Sequence, residues 1–235
     1  MLTEDEKKRY TRQMMMEGWG EATQERLAVS KVFIAGAGGL GSPVSIYLTA
    51  AGIGNMVICD FDAPELSNLN RQILHDHTRI GTNKAVSAKM TLERLNPNVR
   101  VTAVTDKIVE DNVDALVKDA DIILDCMDNF PTRYILNDCA IRKHIPLVYG
   151  SIWGIEGRLS FIQSPETPCL KCIFEEAPPK EVFPVLGATP GVIGSLQALE
   201  AIKYLTGIGR PFKNKLLVWE GETTQFKTFT LHKNP

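Results

Sequence analysis

Between residues 31 and 150, short apolar runs alternate with stretches whose apolar residues recur every three or four positions. Lys31-Val-Phe-Ile-Ala-Gly36 is a short apolar run closed by glycine, the pattern of a strand buried on both faces. Pro43 then sits where the first turn of a helix tolerates it, and Val44, Leu48 and Ala51 keep helical spacing up to Gly52. Met56-Val-Ile-Cys-Asp60 reads as a second strand. Lys84 to Leu95 reads as a helix, with Ala85, Ala88, Leu92 and Leu95 on one face and Asn96-Pro97 as its stop. A strand over 99–105, a helix over 111–118, a buried strand over 121–126, a helix over 130–143 and a strand over 146–150 complete the series.

This alternation predicts an α/β fold: a Rossmann-like, doubly wound, mostly parallel sheet covered on both faces. Residues 3–28, ahead of it, read as a polar helical arm broken at Gly18-Trp-Gly20. The last third changes character. A strand is expected over 157–163, then a loop over 175–190 carrying Pro178, Pro179, Pro184 and Pro190. One apolar helix follows over 191–205, and two strands joined near Gly221 lie within 215–231, a C-terminal antiparallel extension. The reading is one unit over 1–235, divided into an arm (1–28), a core (31–150) and a C-terminal region (151–235).

Composition narrows the setting. Lys and Arg number 26 against 28 Asp and Glu, a net charge of −2, which argues against a life on bulk nucleic acid or an anionic membrane. No apolar run approaches the ~20 residues of a spanning helix, and the charged start Met1-Leu-Thr-Glu-Asp-Glu is no secretory signal. The cysteines are Cys59, Cys126, Cys139, Cys169 and Cys172. An odd, sparse set suits a reducing, cytoplasmic location, with the first three in apolar packing positions. Cys169-Leu-Lys-Cys172 is half of a common zinc motif.

The first strand runs into Gly36-Ala-Gly38-Gly39-Leu-Gly41, a Gly-x-Gly-x-x-Gly pattern in strand–turn–helix context. Glycines let backbone approach phosphate, and the helix start supplies free N–H groups. Asp60, about twenty residues on, ends the next strand, where an acid can hold ribose hydroxyls. Alone, this would favour a nicotinamide or flavin dinucleotide. The stretch Asp60-Phe-Asp62…Asn68-Leu-Asn70-Arg71-Gln72, with Lys84 soon after, does not fit that reading. Two cations beside a nucleotide suit phosphoryl or nucleotidyl transfer, where positioning and charge neutralisation do the chemistry. Asp128 and Asn129 follow a central strand: Asp128 can hold Mg²⁺, and either residue can cap the next helix.

Together with Arg9-Tyr10-Thr-Arg12-Gln13 and Gly191-Val-Ile-Gly-Ser-Leu-Gln-Ala-Leu-Glu-Ala-Ile-Lys203, these motifs resemble the ThiF/MoeB/HesA family of ubiquitin-activating-enzyme-like adenylyltransferases, in order and over almost the whole chain. The resemblance implies adenylation, with ATP and Mg²⁺, of the C-terminal glycine of a ubiquitin-like sulfur-carrier protein ending in Gly-Gly, releasing pyrophosphate. It implies that Gly36, Gly38, Gly39 and Gly41 cradle the nucleotide and that Asp60 holds the ribose, with Asp62 and Asn129 in the same nucleotide site. Asn68, Arg71, Gln72 and Lys84 would face the phosphates and Asp128 would bind Mg²⁺. It further implies a homodimer in which Arg12 reaches the partner's site; the bland reading of Arg12 is a surface charge.

Two departures shape the expectation. The resemblance implies zinc on two Cys-x-x-Cys pairs. The sequence supplies Cys169 and Cys172 and stops at His232-Lys-Asn-Pro235, where the second pair is due, so it is trimmed there or the site is lost. Residues 173–190 hold no cysteine, so no covalent enzyme–carrier thioester is expected and a separate sulfur donor would accept the adenylate. The alternatives are a family dehydratase acting on a modified tRNA base, an NAD-type oxidoreductase, and a non-catalytic scaffold.

Overall fold

The computed structural model describes residues 1–177 and 184–233. The strands are β1 (Lys31–Ala35), β2 (Asn55–Cys59), β3 (Arg100–Val104), β4 (Ile122–Asp125), β5 (Leu147–Trp153), β6 (Glu156–Ile162), β7 (Lys215–Glu220) and β8 (Gln225–Thr230). They form one sheet in the order β3-β2-β1-β4-β5-β6-β7-β8. From β3 to β5 all neighbours are parallel, and from β5 to β8 all are antiparallel. The expected doubly wound sheet with an antiparallel extension is therefore present.

The helices are α1 (Glu4–Met14), α2 (Gly20–Val29), α3 (Gly41–Ala51), α4 (Lys84–Leu95), α5 (Glu110–Val117), α6 (Phe130–Lys143), α7 (Leu170–Ile173) and α8 (Ala188–Thr206). Strand side chains alternate faces, and β1 shows the consequence. Val32 and Ile34 join Leu48, Met56, Leu92 and Ile193 in one apolar core, while Phe33 and Ala35 join Val113, Leu136 and Tyr149 in the other. Helices thus cover both faces of the parallel half.

Helix α8 lies directly on α3. A Cβ on Gly194 would come within 2.5 Å of Pro43 and 2.7 Å of the Leu40 carbonyl, so only glycine allows this crossing. Cys59, Cys126 and Cys139 are buried, as their apolar settings predict. Burial pushes the thiols of Cys59 and Cys139 up to about 12.

Several boundaries differ from the expectation. Strand β5 runs on to Trp153 and turns straight into β6, because the hairpin partner lends it hydrogen bonds beyond Gly150. Helix α8 begins at Ala188, with Pro190 inside its first turn, where a missing N–H costs nothing. The single turn α7 was not anticipated, nor were the 3₁₀ turns at Leu66–Asn68 and His77–Arg79. Of the loop expected over 175–190, residues 178–183 lie outside the described residues. The part after it is clamped on the β5–β6 hairpin: Gly154 N–H donates to Pro184 O (2.8 Å), and Leu186 N–H donates to Gly154 O (3.1 Å).

Candidate active site

Strand order reverses between β1 and β4, with β2 on one side and β5 on the other. Crossovers leave in opposite directions at such a point, and a crevice opens at the carboxyl ends of the strands. The glycine loop lies there. Gly36 has φ +98°, and a Cβ on it would meet the Cys126 carbonyl at 2.8 Å. A Cβ on Gly41 would fall 2.0 Å from the Gly36 carbonyl oxygen. Those two glycines close the turn. Gly38 and Gly39 are different: their Cβ positions meet side chains only, Gln72 at 3.5 Å and Pro190 at 3.3 Å. Among the described residues, the N–H groups of Gly38 and Gly39 donate no hydrogen bond, which is the donor set an anion needs.

Asp60 follows β2 and grips this loop. Its Oδ2 accepts the Ala37 N–H (2.8 Å) and its Oδ1 accepts the Asp62 N–H (2.9 Å). Burial pushes its carboxyl up, opposed by those N–H groups and by Lys84. Asn83 caps α4 by accepting from Ala85 and Val86, and its Nδ2 donates to the Asp60 carbonyl (2.9 Å). This pins the start of α4 to the end of β2 and sets Lys84 in place. The Lys84 ammonium is nearly buried and lies 3.5 Å from the exposed Asp62 carboxylate. A cleft of about 480 Å³ is lined by Asp62, Pro64, Glu65, Asn68, Gly81 and Lys84.

The segment after β2 returns to the loop. Arg71 packs its stem 3.6 Å from a Cβ position on Gly39, while its Nη1 donates to Ser67 O and Asn70 Oδ1 (both 3.0 Å). Gln72 is buried, and its Oε1 has no partner among the described residues. Asn68 Oδ1 accepts the Glu65 N–H (3.1 Å), which holds the 3₁₀ turn. On the far side, β4 ends at Asp125 and Asp128 stands exposed three residues on. Asn129, not Asp128, is the helix cap: its side chain accepts the Thr132 N–H (3.0 Å), and its Nδ2 donates to Asp128 Oδ1 (3.3 Å), which leaves the exposed Asp128 carboxylate without a charged partner among the described residues.

The fold thus brings the glycine loop, Asp60, Asp62, Asn68, Arg71, Gln72, Lys84, Asp128 and Asn129 to one sheet edge. It does not bring Arg12 there: Arg12 is exposed on α1 and makes no hydrogen bond or ion pair among the described residues. Unpaired loop amides and two cations fit a nucleotide triphosphate. One exposed carboxylate without a protein cage fits Mg²⁺, which shares its coordination with phosphate and water. Zinc does not fit. Cys169 and Cys172 lie 3.3 Å apart at α7, but among the described residues no third His, Cys, Asp or Glu joins them, and zinc takes four donors.

Sequence reasoning missed the groups beneath these residues. Asp125 and Arg133 form a buried pair (3.0 Å), and Gln197 Nε2 donates to the carbonyls of Asp125 (2.8 Å) and Val148 (3.0 Å). A lone glutamine inside the apolar run 191–205 was the available signal. His75, buried against the glycine loop, was also missed.

Comparison with known proteins supplies a family and several relatives. The ThiF family profile matches residues 10–235. The sulfur carrier protein adenylyltransferase of Thermus thermophilus is 39% identical over 99% of this chain and 90% of its own length. The SAMP-activating enzyme E1 of Haloferax volcanii is 41% identical over 97% of this chain and 86% of its own. The adenylyltransferase and sulfurtransferase MOCS3 of Drosophila sechellia is 39% identical over 98% of this chain, which spans 52% of that protein. Among solved structures, E. coli MccB superposes with a TM-score of 0.88 at 24% identity, over 97% of this chain and 73% of MccB, a likeness of fold. Among the described residues, no helix is long and apolar enough to cross a membrane.

Proposed function

The chain belongs to the ThiF family and is an adenylyltransferase, and from that premise we propose that it adenylates the C-terminal glycine of a ubiquitin-fold sulfur-carrier protein ending in Gly-Gly, using MgATP and releasing pyrophosphate. One observation carries the reading: a loop with unpaired amides shares a sheet edge with two cations, Arg71 and Lys84, and the exposed carboxylate of Asp128. Hydride transfer needs no such cations, and the family match sets the dinucleotide oxidoreductase aside. The names of the Thermus and Haloferax relatives favour a carrier protein as the acceptor over a tRNA base.

In this reading the carrier's carboxylate is already a nucleophile, so no general base is required. One carboxylate oxygen attacks the α-phosphorus. The bond from that phosphorus to the bridging oxygen breaks, and pyrophosphate leaves with its electron pair. The chain's work is alignment and charge neutralisation. Gly38 and Gly39 offer their N–H groups to the phosphates on a turn that Gly36 and Gly41 close, and Asp60 accepts from the ribose. Asn68, Arg71, Gln72 and Lys84 face the phosphates, with Asp62 steering the Lys84 ammonium. Asp128, beside Asn129, would hold Mg²⁺, a hard cation that neutralises phosphate oxygens. The enzyme acts as one adenylation unit in a cytoplasmic homodimer, each Arg12 serving the partner subunit's site.

No covalent enzyme–carrier thioester forms. Residues 173–190 contain no cysteine. Cys59, Cys126 and Cys139 are buried with raised thiols, whereas a nucleophilic cysteine needs an accessible thiolate. The acyl-adenylate therefore passes to a separate sulfur donor. Trapping an enzyme–carrier adduct cleaved by dithiothreitol would refute this.

ATP–pyrophosphate exchange with carriers ending in Gly-Gly tests the reaction. Exchange should require the carrier's terminal glycine and drop roughly 100-fold or more in Arg71→Ala. Absence of exchange with every carrier overturns the proposal.

A further inference from the structure

The peptide units on either side of Ala37 are held by groups outside the glycine loop. The Ala37 N–H donates to Asp60 Oδ2 (2.8 Å), and the Ala37 carbonyl faces His75 Nε2 at 2.9 Å. A carbonyl can only accept, so Nε2 carries the proton. His75 Nδ1, 2.9 Å from Ser87 Oγ, then accepts from that hydroxyl, and the ring is the neutral Nε2–H tautomer. The ring is buried. Behind it, Arg79 Nη1 donates to Ser87 O (2.8 Å) and Thr91 Oγ1 (2.5 Å), and Thr91 Oγ1 donates to Leu74 O (2.7 Å). A chain of hydrogen bonds thus runs from α4 through His75 to the loop.

Peptide planarity gives this contact its meaning. The Ala37 carbonyl and the Gly38 N–H belong to one trans peptide and point in opposite directions. Drawing the carbonyl onto His75 aims the Gly38 N–H away from the protein interior, and that N–H donates to no described residue. We infer that His75 is a positioning residue for the nucleotide: by holding the Ala37 carbonyl it sets the rotation of the peptide whose N–H receives a phosphate oxygen. His75 itself touches neither substrate nor the reacting atoms. The inference rests on the nucleotide-site reading above.

The test separates the two ring contacts. In His75→Gln the amide Nε2 takes the place of the ring Nε2 and keeps a donor for Ala37. In His75→Asn the shorter amide reaches Ser87 only. Titration calorimetry with ATP should give a Kd raised about tenfold in His75→Asn and within about threefold of wild type in His75→Gln. KM for the carrier should be unchanged in both. Equal ATP affinity in the two variants, or ATP affinity that follows their melting temperatures, overturns the inference. A wild-type chain that binds ATP without carrier-dependent exchange removes the adenylation reading alone. One that binds no ATP removes both.

Discussion

The Asp125 carboxylate and the Arg133 guanidinium meet at 3.0 Å with side chains 0% and 4% exposed, directly beneath the turn that carries Asp128. The same Arg133 donates to the carbonyls of Gly150 (2.8 Å) and Met127, and its Cζ lies 4.9 Å from the Tyr149 ring centre. Asp125 Oδ1 accepts the Met127 N–H (3.1 Å). Burial pushes the Asp125 carboxyl up, and Arg133 opposes it.

Removing one partner leaves a buried charge uncompensated. Arg133→Leu should destabilise the protein by about 3–5 kcal/mol in urea titration. Arg133→Lys should recover only part of that, since an ammonium cannot reproduce the fork that meets three acceptors. A loss below 1 kcal/mol in Arg133→Leu would show that the pair is not what holds this turn.

The glycines of the loop should divide into two classes. Gly41→Ala forces a methyl onto the Gly36 carbonyl and should cost about 3 kcal/mol of stability. Gly39→Ala meets side chains, the Pro190 ring at 3.3 Å and the Arg71 stem at 3.6 Å, and should melt within a few degrees of wild type while binding ATP more weakly. Thermal melts with and without ATP distinguish them, and equal melting temperatures would contradict the assignment.

Asp128 and Asn129 should also part company. Asn129→Ala removes the cap of α6 and should cost about 1 kcal/mol of stability. Asp128→Ala should leave the melt unchanged yet abolish Mg²⁺-dependent pyrophosphate exchange. If Asp128→Ala destabilises and retains exchange, the metal assignment fails.

Acid should weaken the fold through His75. Burial, followed by the positive charges of Lys84 and Arg79, holds its ring below the ordinary imidazole range, although its hydrogen bond to Ala37 and nearby Asp76 oppose this. Below the unfolded value of about 6.5 the unfolded chain therefore binds a proton that the fold refuses. This contribution is complete above about pH 6.5 and is lost as the pH falls toward the folded value. The difference in urea stability between wild type and His75→Gln, followed from pH 7.5 to 5, isolates it from the carboxylates. A difference that does not shrink with falling pH would contradict this sign.

How much of this the sequence disclosed depended on where each signal lies. Val32 to Ala35 and Ile122 to Leu124 are legible because strands buried on both faces must be apolar. The glycine loop and Asp60 were legible because their spacing is fixed by one turn and one crossover. The Asp125–Arg133 pair and the grip of His75 on Ala37 were not, since their partners are brought together by packing and not by local spacing. The choice between Asp128 and Asn129 as cap was left open because both side chains can accept a backbone N–H. The backbone decided it.

The antiparallel end of the sheet bears on solubility. Strand β6 is buried along most of its length, and its outer edge is covered by β7, then by β8, whose six residues are all exposed. A chain cut before β7 would present the bare backbone of a buried, apolar strand to other molecules, a template for intermolecular pairing. The hairpin moves the open edge of the sheet from the largely buried β6 to β8, which meets solvent with Lys227, Thr228 and Thr230 as well as Phe226 and Phe229.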